Sequence, residues 1–236
     1  MKTLTFSLVL MAVMLSASSA VSAQTDQEQR IKASYILALG TGPTQAELDY
    51  WKTRGNLSIQ QLIEFHRQGF ASYPNLQKQA IGRSYADAFG RWPSIPEIDY
   101  QMKSKLTYTE LMKSHMAWLQ QPNNTEYGES IKRSYVKVFN RQPTAAELSY
   151  WKQWYLSNLM LITYHNDYKN QTAKGNKVNV KSSPYIVSVS LSPAIAAEAR
   201  AASGIVASGA GNIVASGAGN LITNDGGSIV ASGAGN

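Results

Sequence analysis

The sequence predicts a mainly α-helical protein built from three tandem three-helix repeats of fifty residues, with a short C-terminal β-repeat tail, solenoid-like or cross-β. Three observations carry this. Ile31, Ile81 and Ile131 lie fifty residues apart, and so do Tyr35, Tyr85 and Tyr135; Pro43, Pro93 and Pro143; Glu47, Glu97 and Glu147; and Tyr50, Tyr100 and Tyr150. A register that holds over two whole periods marks one supersecondary unit used three times. Inside each copy, apolar residues fall at i, i+4 and i+8, the spacing of one helix face. Finally, the octapeptide from Ile205 to Asn212 recurs identically at Ile213 to Asn220 and Ile229 to Asn236, with Leu221 to Ser228 as a divergent copy.

Taken in order, Met1 and Lys2 precede an almost wholly apolar stretch from Leu4 to Leu15, then the small residues Ser16 to Ala23. This is the pattern of a secretory signal peptide over 1–23, with cleavage expected after Ala23. A membrane anchor would need about twenty apolar residues, and no Cys is present to carry a lipid. No later run is long or apolar enough to span a bilayer.

The helical body is expected over 24–169. The first helix of each copy carries Ile31, Tyr35 and Leu39, then Ile81, Tyr85 and Phe89, then Ile131, Tyr135 and Phe139. Gly40, Gly90 and Asn140 follow, residue types that accept the left-handed conformation closing a helix. Thr44, Ser94 and Thr144 each precede a Glu by three residues, which is a capping box. The second helix therefore starts there and buries Leu48 with Trp51, Ile98, or Leu148 with Trp151. A third begins after Ser58, Thr107 or Ser157, where Gln61 and Glu110 complete two more boxes and Met160 does not.

The run from Tyr135 through Phe139-Asn140-Arg141-Gln142-Pro143 to Glu147-Leu148-Ser149-Tyr150-Trp151 resembles an uncharacterised helical domain of secreted bacterial proteins, similar in pattern to phycobilisome linker domains. The resemblance covers Ile31 to Tyr168 and implies a helical fold with no catalytic residues. Its repeat-core positions here are Tyr35, Tyr85, Tyr135, Trp51 and Trp151. The first copy departs from it with Thr41 in place of the Arg, and the second with Gln101 in place of the Trp.

The chain has no cysteine, so its stability rests on packing. The formal net charge of +7 resides in the helical body, because beyond Lys181 the only charged residues are Glu198, Arg200 and Asp225. A basic body is attracted to anionic surface polymers, phospholipid heads or extracellular DNA. Lys132, Arg133, Lys169, Lys174, Lys177 and Lys181 form the densest basic group, near Tyr155, Tyr164 and Tyr168. Basic residues interleaved with aromatics suit single-stranded nucleic acid, yet here the aromatics recur at core positions and the lysines solvate a helix end, so nucleic acid is not the expected partner.

His115 and His165 share the fifty-residue register, with His66 one position off it. Equivalent positions in successive repeats lie apart and face the same way, so these histidines are expected to be structural or surface residues and no metal site is expected. Glu47, Glu97 and Glu147 already have a capping role, and the body contains no nucleophile elbow. The sequence therefore predicts no enzyme and no cofactor. Asn56, Asn123 and Asn170 stand in N-glycosylation acceptor patterns, which are not expected to be used in a bacterial product.

Residues 170–203 read as a linker, polar and basic at first. Pro184 to Leu191 alternates β-branched residues and reads as a strand, and Pro193 to Ala202 reads as a short helix with Pro in its first turn. The octads occupy 204–236. Ile-Val supplies strand propensity, Ala and Ser allow close stacking, and Gly-Ala-Gly-Asn supplies a tight turn. Copies would stack about 4.8 Å apart with like residues over like. Asn224 to Gly227 has too little acid for a calcium repeat.

Four octads make only two coils if two octads form one, fewer than the three or so repeats a stack needs. The tail carries almost no charge and nothing to blunt its open edges. The expected assembly residues are Ile205, Val206, Asn212, Ile213, Val214, Asn220, Leu221, Ile222, Ile229, Val230 and Asn236. The resulting expectation is a secreted, extracellular or cell-surface protein, structural or adhesive, whose partner is itself in a homo-oligomer or filament. The alternative is a binding module for an anionic glycan or nucleic acid, with the tail as spacer or export tag.

Overall fold

The computed structural model describes residues 26–174 and 191–203, together with the two-residue strands Val214–Ala215, Leu221–Ile222 and Val230–Ala231. The expected signal peptide, all but the last residue of the strand expected from Pro184 to Leu191, and most of the octads lie outside the described residues. The protein is mainly helical. Helix α1 covers 26–39, followed by α2 (Gln45–Lys52), α3 (Ile59–Ser72), α4 (Pro74–Phe89), α5 (Ile95–Met102), α6 (Tyr108–Leu119), α7 (Glu126–Phe139), α8 (Ala145–Lys152), α9 (Asn158–Lys174) and α10 (Pro193–Ser203).

Local chemistry fixes most of these boundaries. The Thr44 N–H donates to the Glu47 carboxylate at 2.7 Å, and the Glu47 N–H donates back to Thr44 Oγ1 at 3.3 Å. The Thr144–Glu147 pair has the same two distances, and Ser94 with Glu97 starts α5 likewise. Each box satisfies amides that the first turn would otherwise leave without a partner. Ser58–Gln61 and Thr107–Glu110 start α3 and α6. At α9, Ser157 Oγ accepts from the Met160 N–H at 3.3 Å, and Met160 has no carboxylate to return the bond. Gly40, Gly90 and Asn140 end α1, α4 and α7 with φ of 74°, 73° and 55°.

Two glycines are needed for packing as well as for the turn. A Cβ on Gly40 would lie 2.5 Å from the Tyr108 ring, and one on Gly90 would lie 2.4 Å from Cγ of Asn158. The first residue of α6 thus sits against the end of α1, and the first residue of α9 against the end of α4. Two further hydrogen bonds tie these levels together. Thr109 Oγ1 donates to the Leu37 carbonyl at 2.8 Å, and Arg133 Nε donates to the Phe89 carbonyl at 2.7 Å.

The core is continuous over most of the body. Its larger cluster runs from Ile36, Leu37 and Ile59 through Ile81, Phe89, Tyr108 and Met112 to Ile131, Tyr135 and Leu161. A smaller one gathers Ile31, Tyr35, Leu39, Leu48, Leu62 and Phe70. Of the expected second-helix contacts, Leu48 is fully buried, while Trp51, Ile98, Leu148 and Trp151 pack against the core half-buried.

The structure moves two boundaries. Helix α9 continues to Lys174, five residues past the expected end at Lys169, because Asn170 to Lys174 contains neither Gly nor Pro and Gly175 is the first residue that can stop it. Residues 191–203, expected within the linker, belong to the body. Leu191 is not in a strand but buried, and Ile195, Ala196 and Ala199 have no exposed surface. Ser192 caps α10 with Pro193 at its first position, and the helix packs on α3.

In the terminal region, Val214–Ala215 (β1) pairs antiparallel with Leu221–Ile222 (β2) and parallel with Val230–Ala231 (β3). Among the described residues, no helix is long and apolar enough to cross a membrane.

Candidate functional site

The repeat-core aromatics converge on the three histidines. Tyr35 meets His66 edge-on with ring centroids 4.4 Å apart, Tyr85 meets His115 at 4.5 Å, and Tyr135 meets His165 at 4.4 Å. Trp51 Nε1 donates to the Tyr35 hydroxyl at 3.0 Å, and Trp151 Nε1 donates to the Tyr135 hydroxyl at 2.9 Å. Where the Trp is missing, Gln101 stands in its place, and its side chain pulls the Tyr85 phenol down against the larger upward push of burial.

His66 is not displaced, although it is one position off the fifty-residue register. All three histidines stand eight residues beyond the hydroxyl that begins their helix, counted from Ser58, Thr107 and Ser157. The extra residue falls in the connection between α2 and α3, outside any helix. Counting from the cap instead of from the preceding repeat would have recovered this.

Sequence reasoning missed the serines. Ser34 Oγ lies 3.2 Å from His66 Nε2, and Ser84 Oγ lies 3.0 Å from His115 Nε2. Each hydroxyl also donates its only hydrogen to a carbonyl one turn back, Ile31 and Ile81 respectively, at 2.8 Å. The hydroxyl must then accept from the imidazole, which fixes Nε2 as the protonated nitrogen. Ser134 completes the fifty-residue series and donates to the Ile131 carbonyl at 2.7 Å, but neither ring nitrogen of His165 has a partner among the described residues.

These environments hold the groups neutral. Burial pushes His66 down to about 4, His115 to about 3 and His165 to about 4, because an imidazolium loses its hydration there. Burial also pushes Tyr35 up to about 12 and raises Tyr85 and Tyr135. At the rim, Arg91 grips Glu97 with two hydrogen bonds of 2.7 and 2.9 Å, and Arg141 grips Glu147 at 2.6 and 2.8 Å. Those bonds hold Glu97 and Glu147 at about 2. Both guanidinium groups also lie 5.3 Å over the adjacent Tyr85 or Tyr135 ring.

Ser84 and His115 have the composition of a nucleophile and a base, but they are 0% and 4% exposed. A catalytic pair needs substrate at the hydroxyl and a base that can take up its proton. This serine instead uses its proton on a carbonyl, and the imidazole is the donor. The arrangement orders a core. Among the described residues, no group of His, Asp and Glu side chains is placed to hold a metal ion.

A second cluster joins α4 to α6. Arg83 Nε pairs with Asp87 Oδ2 at 2.6 Å, and the buried Tyr108 hydroxyl donates to the same oxygen at 2.9 Å. Burial pushes Asp87 up to about 6 against the pull of Arg83. Outside, Tyr50, Tyr100 and Tyr150 are 49%, 71% and 53% exposed, so the register also places a tyrosine on the surface three times.

Of the expected assembly residues, Val214, Leu221, Ile222 and Val230 fall in the described strands. Ile205, Val206, Asn212, Ile213, Asn220, Ile229 and Asn236 lie outside the described residues. Comparison of the chain with family models, curated proteins and solved structures finds no match.

Proposed function

We propose that this is a secreted structural or adhesive protein whose helical body consists of three tandem three-helix units, displayed by a C-terminal octad tail that joins copies into a fibre, sheath or matrix. The observation that carries the reading is the octad itself, repeated without change in three of its four copies. A spacer needs no Ile-Val at every eighth position. The parallel register of Val214 with Val230 supports it, since that offset is two octads and sets identical residues side by side. Strand order β2-β1-β3 leaves β2 and β3 as the edges, and an edge strand offers unpaired amides and carbonyls to another chain.

Deleting Gly204 to Asn236 tests the proposal. The truncated protein should keep its helical circular dichroism and lose ordered multimers in negative-stain images; a truncated body that assembles as well as the full chain would remove the tail from that role. A second reading, a binding module for anionic glycan, is favoured by the exposed Tyr50, Tyr100 and Tyr150 on a basic body. It requires salt-sensitive binding of polyanions by a monomeric full-length chain.

A further inference from the structure

Helix α10 occupies a place that elsewhere belongs to a preceding unit. Tyr108, first in α6, and Asn158, first in α9, rest on Gly40 and Gly90 at the ends of α1 and α4. Ile59 is the matching residue of α3, equally buried, and the described residues hold no unit before its own for it to rest on. Its amide instead donates to Glu198 Oε1 of α10 at 2.8 Å, and Ile195, Ala196 and Ala199 join Ile59 and Ile63 in the core. Arg30 Nε pairs with Glu198 Oε2 at 2.7 Å, the Ser192 N–H donates to Gln29 at 2.6 Å, and Lys113 donates to the Ser203 carbonyl at 2.7 Å.

The opposite end of the stack is finished differently. Along one face, Ile36, Leu37 and Gly40 are buried, while their counterparts Val136, Lys137 and Asn140 are exposed. Two of these three residues are polar, and a terminal unit of a stack needs a polar outer face. The α3 end has none of its own and depends on an added helix.

That helix is tethered to α9 only through residues 175–190, a connection of up to roughly 55 Å when extended. The hydrogen bonds above run from α10 to α1, α3 and α6. Directly after α10 comes the octad tail. We infer that the α3 face is an exchange site that takes α10 from a second copy of this chain, so that neighbouring bodies are joined by reciprocal arms. The inference rests on the tail-assembly reading to the extent that associated tails raise the local concentration of neighbouring arms.

Two full-length charge-reversal variants test it. Arg30→Glu and Glu198→Arg each place like charges at the docking site in their own chain, whereas reciprocal exchange between the two restores opposite charges at both sites. With differently tagged chains, capture of one variant by the other should exceed self-capture of either by about tenfold, the scale of a restored ion pair. Equal capture in every combination would overturn exchange and leave tail assembly standing; no capture in any combination would overturn both. Should a reversal prevent folding, the exposed positions Gln60 and Ala197 take Gln60→Cys and Ala197→Cys labels in a chain with no native cysteine. Energy transfer between separately labelled chains as strong as within a doubly labelled chain supports exchange, and transfer confined to the doubly labelled chain refutes it.

Discussion

Three serines fifty residues apart sit beside three histidines, and they do not have equal consequences. Among the described residues Ser84 is the one hydrogen-bond partner of a His115 ring nitrogen, so Ser84→Ala leaves a buried N–H without a partner there. Such a loss costs about 1–3 kcal/mol. Ser134 makes no bond to His165, so Ser134→Ala should cost about 1 kcal/mol or less, the ordinary scale of one hydrogen bond. Urea midpoints of the two variants separate them; equal losses would mean that the Ser84–His115 contact contributes nothing. By the same reasoning His165→Phe, which removes two buried nitrogens with no partner, should leave stability unchanged or raise it. The aromatic and histidine positions were legible as a recurring pattern, whereas the serines were not singled out, because a small polar residue inside a helix gives no hydrophobic signal. Their own fifty-residue spacing was the available clue.

The capping boxes show how far local chemistry carries an element. A box needs only two side chains three residues apart, so every helix start that rests on one could be placed from sequence. Glu97 has a second task, since Arg91 grips it, while Glu47 stands opposite Thr41 and has no such partner. Glu97→Ala should therefore cost about 1–2 kcal/mol, and Glu47→Ala about 1, reflecting a cap alone. Equal midpoint shifts on thermal melting would count against a structural role for the Arg91 clamp. Gly90→Ala is expected to be worse than either, above about 2 kcal/mol, because a positive φ and contact with Asn158 act together. Helix α10 illustrates the opposite case. Its existence was readable from Pro193 and the alanine-rich run, but its attachment was not, because Glu198 meets Arg30 and the Ile59 amide across a long loop. Only three-dimensional closure brings those residues together.

At the scale of the whole molecule, the period of fifty gave the order of helices, because burial follows a spacing that survives translation along the chain. It gave no account of what closes each end, since an end is where the period stops. The three buried histidines add a property that no single repeat has. Each folded imidazole sits near 3 or 4 against an ordinary value of 6.5, with burial outweighing the weak upward pull of Glu47, Glu97 or Glu147. Below pH 6.5 the unfolded chain gains protons at these sites that the folded chain does not, so their contribution is complete above 6.5 and is lost as pH falls toward 4. Asp87 works the other way: its folded value of about 6 exceeds the ordinary 3.8, so its contribution is present at low pH and is lost as pH rises through 6. Near pH 5 the imidazoles take up close to three protons on unfolding and Asp87 releases one, a net of about two, or roughly 3 kcal/mol per pH unit, and Glu97 and Glu147, held low by their arginine partners, add uptake of the same sign as pH falls toward 4.5. Stability from urea unfolding should fall with at least that slope between pH 6 and pH 4.5, and His115→Phe should reduce the slope by roughly 1 kcal/mol per pH unit if the variant stays folded. A flat profile over that interval would mean that the histidines are hydrated in solution and that the Tyr–His layers are looser than the structure has them.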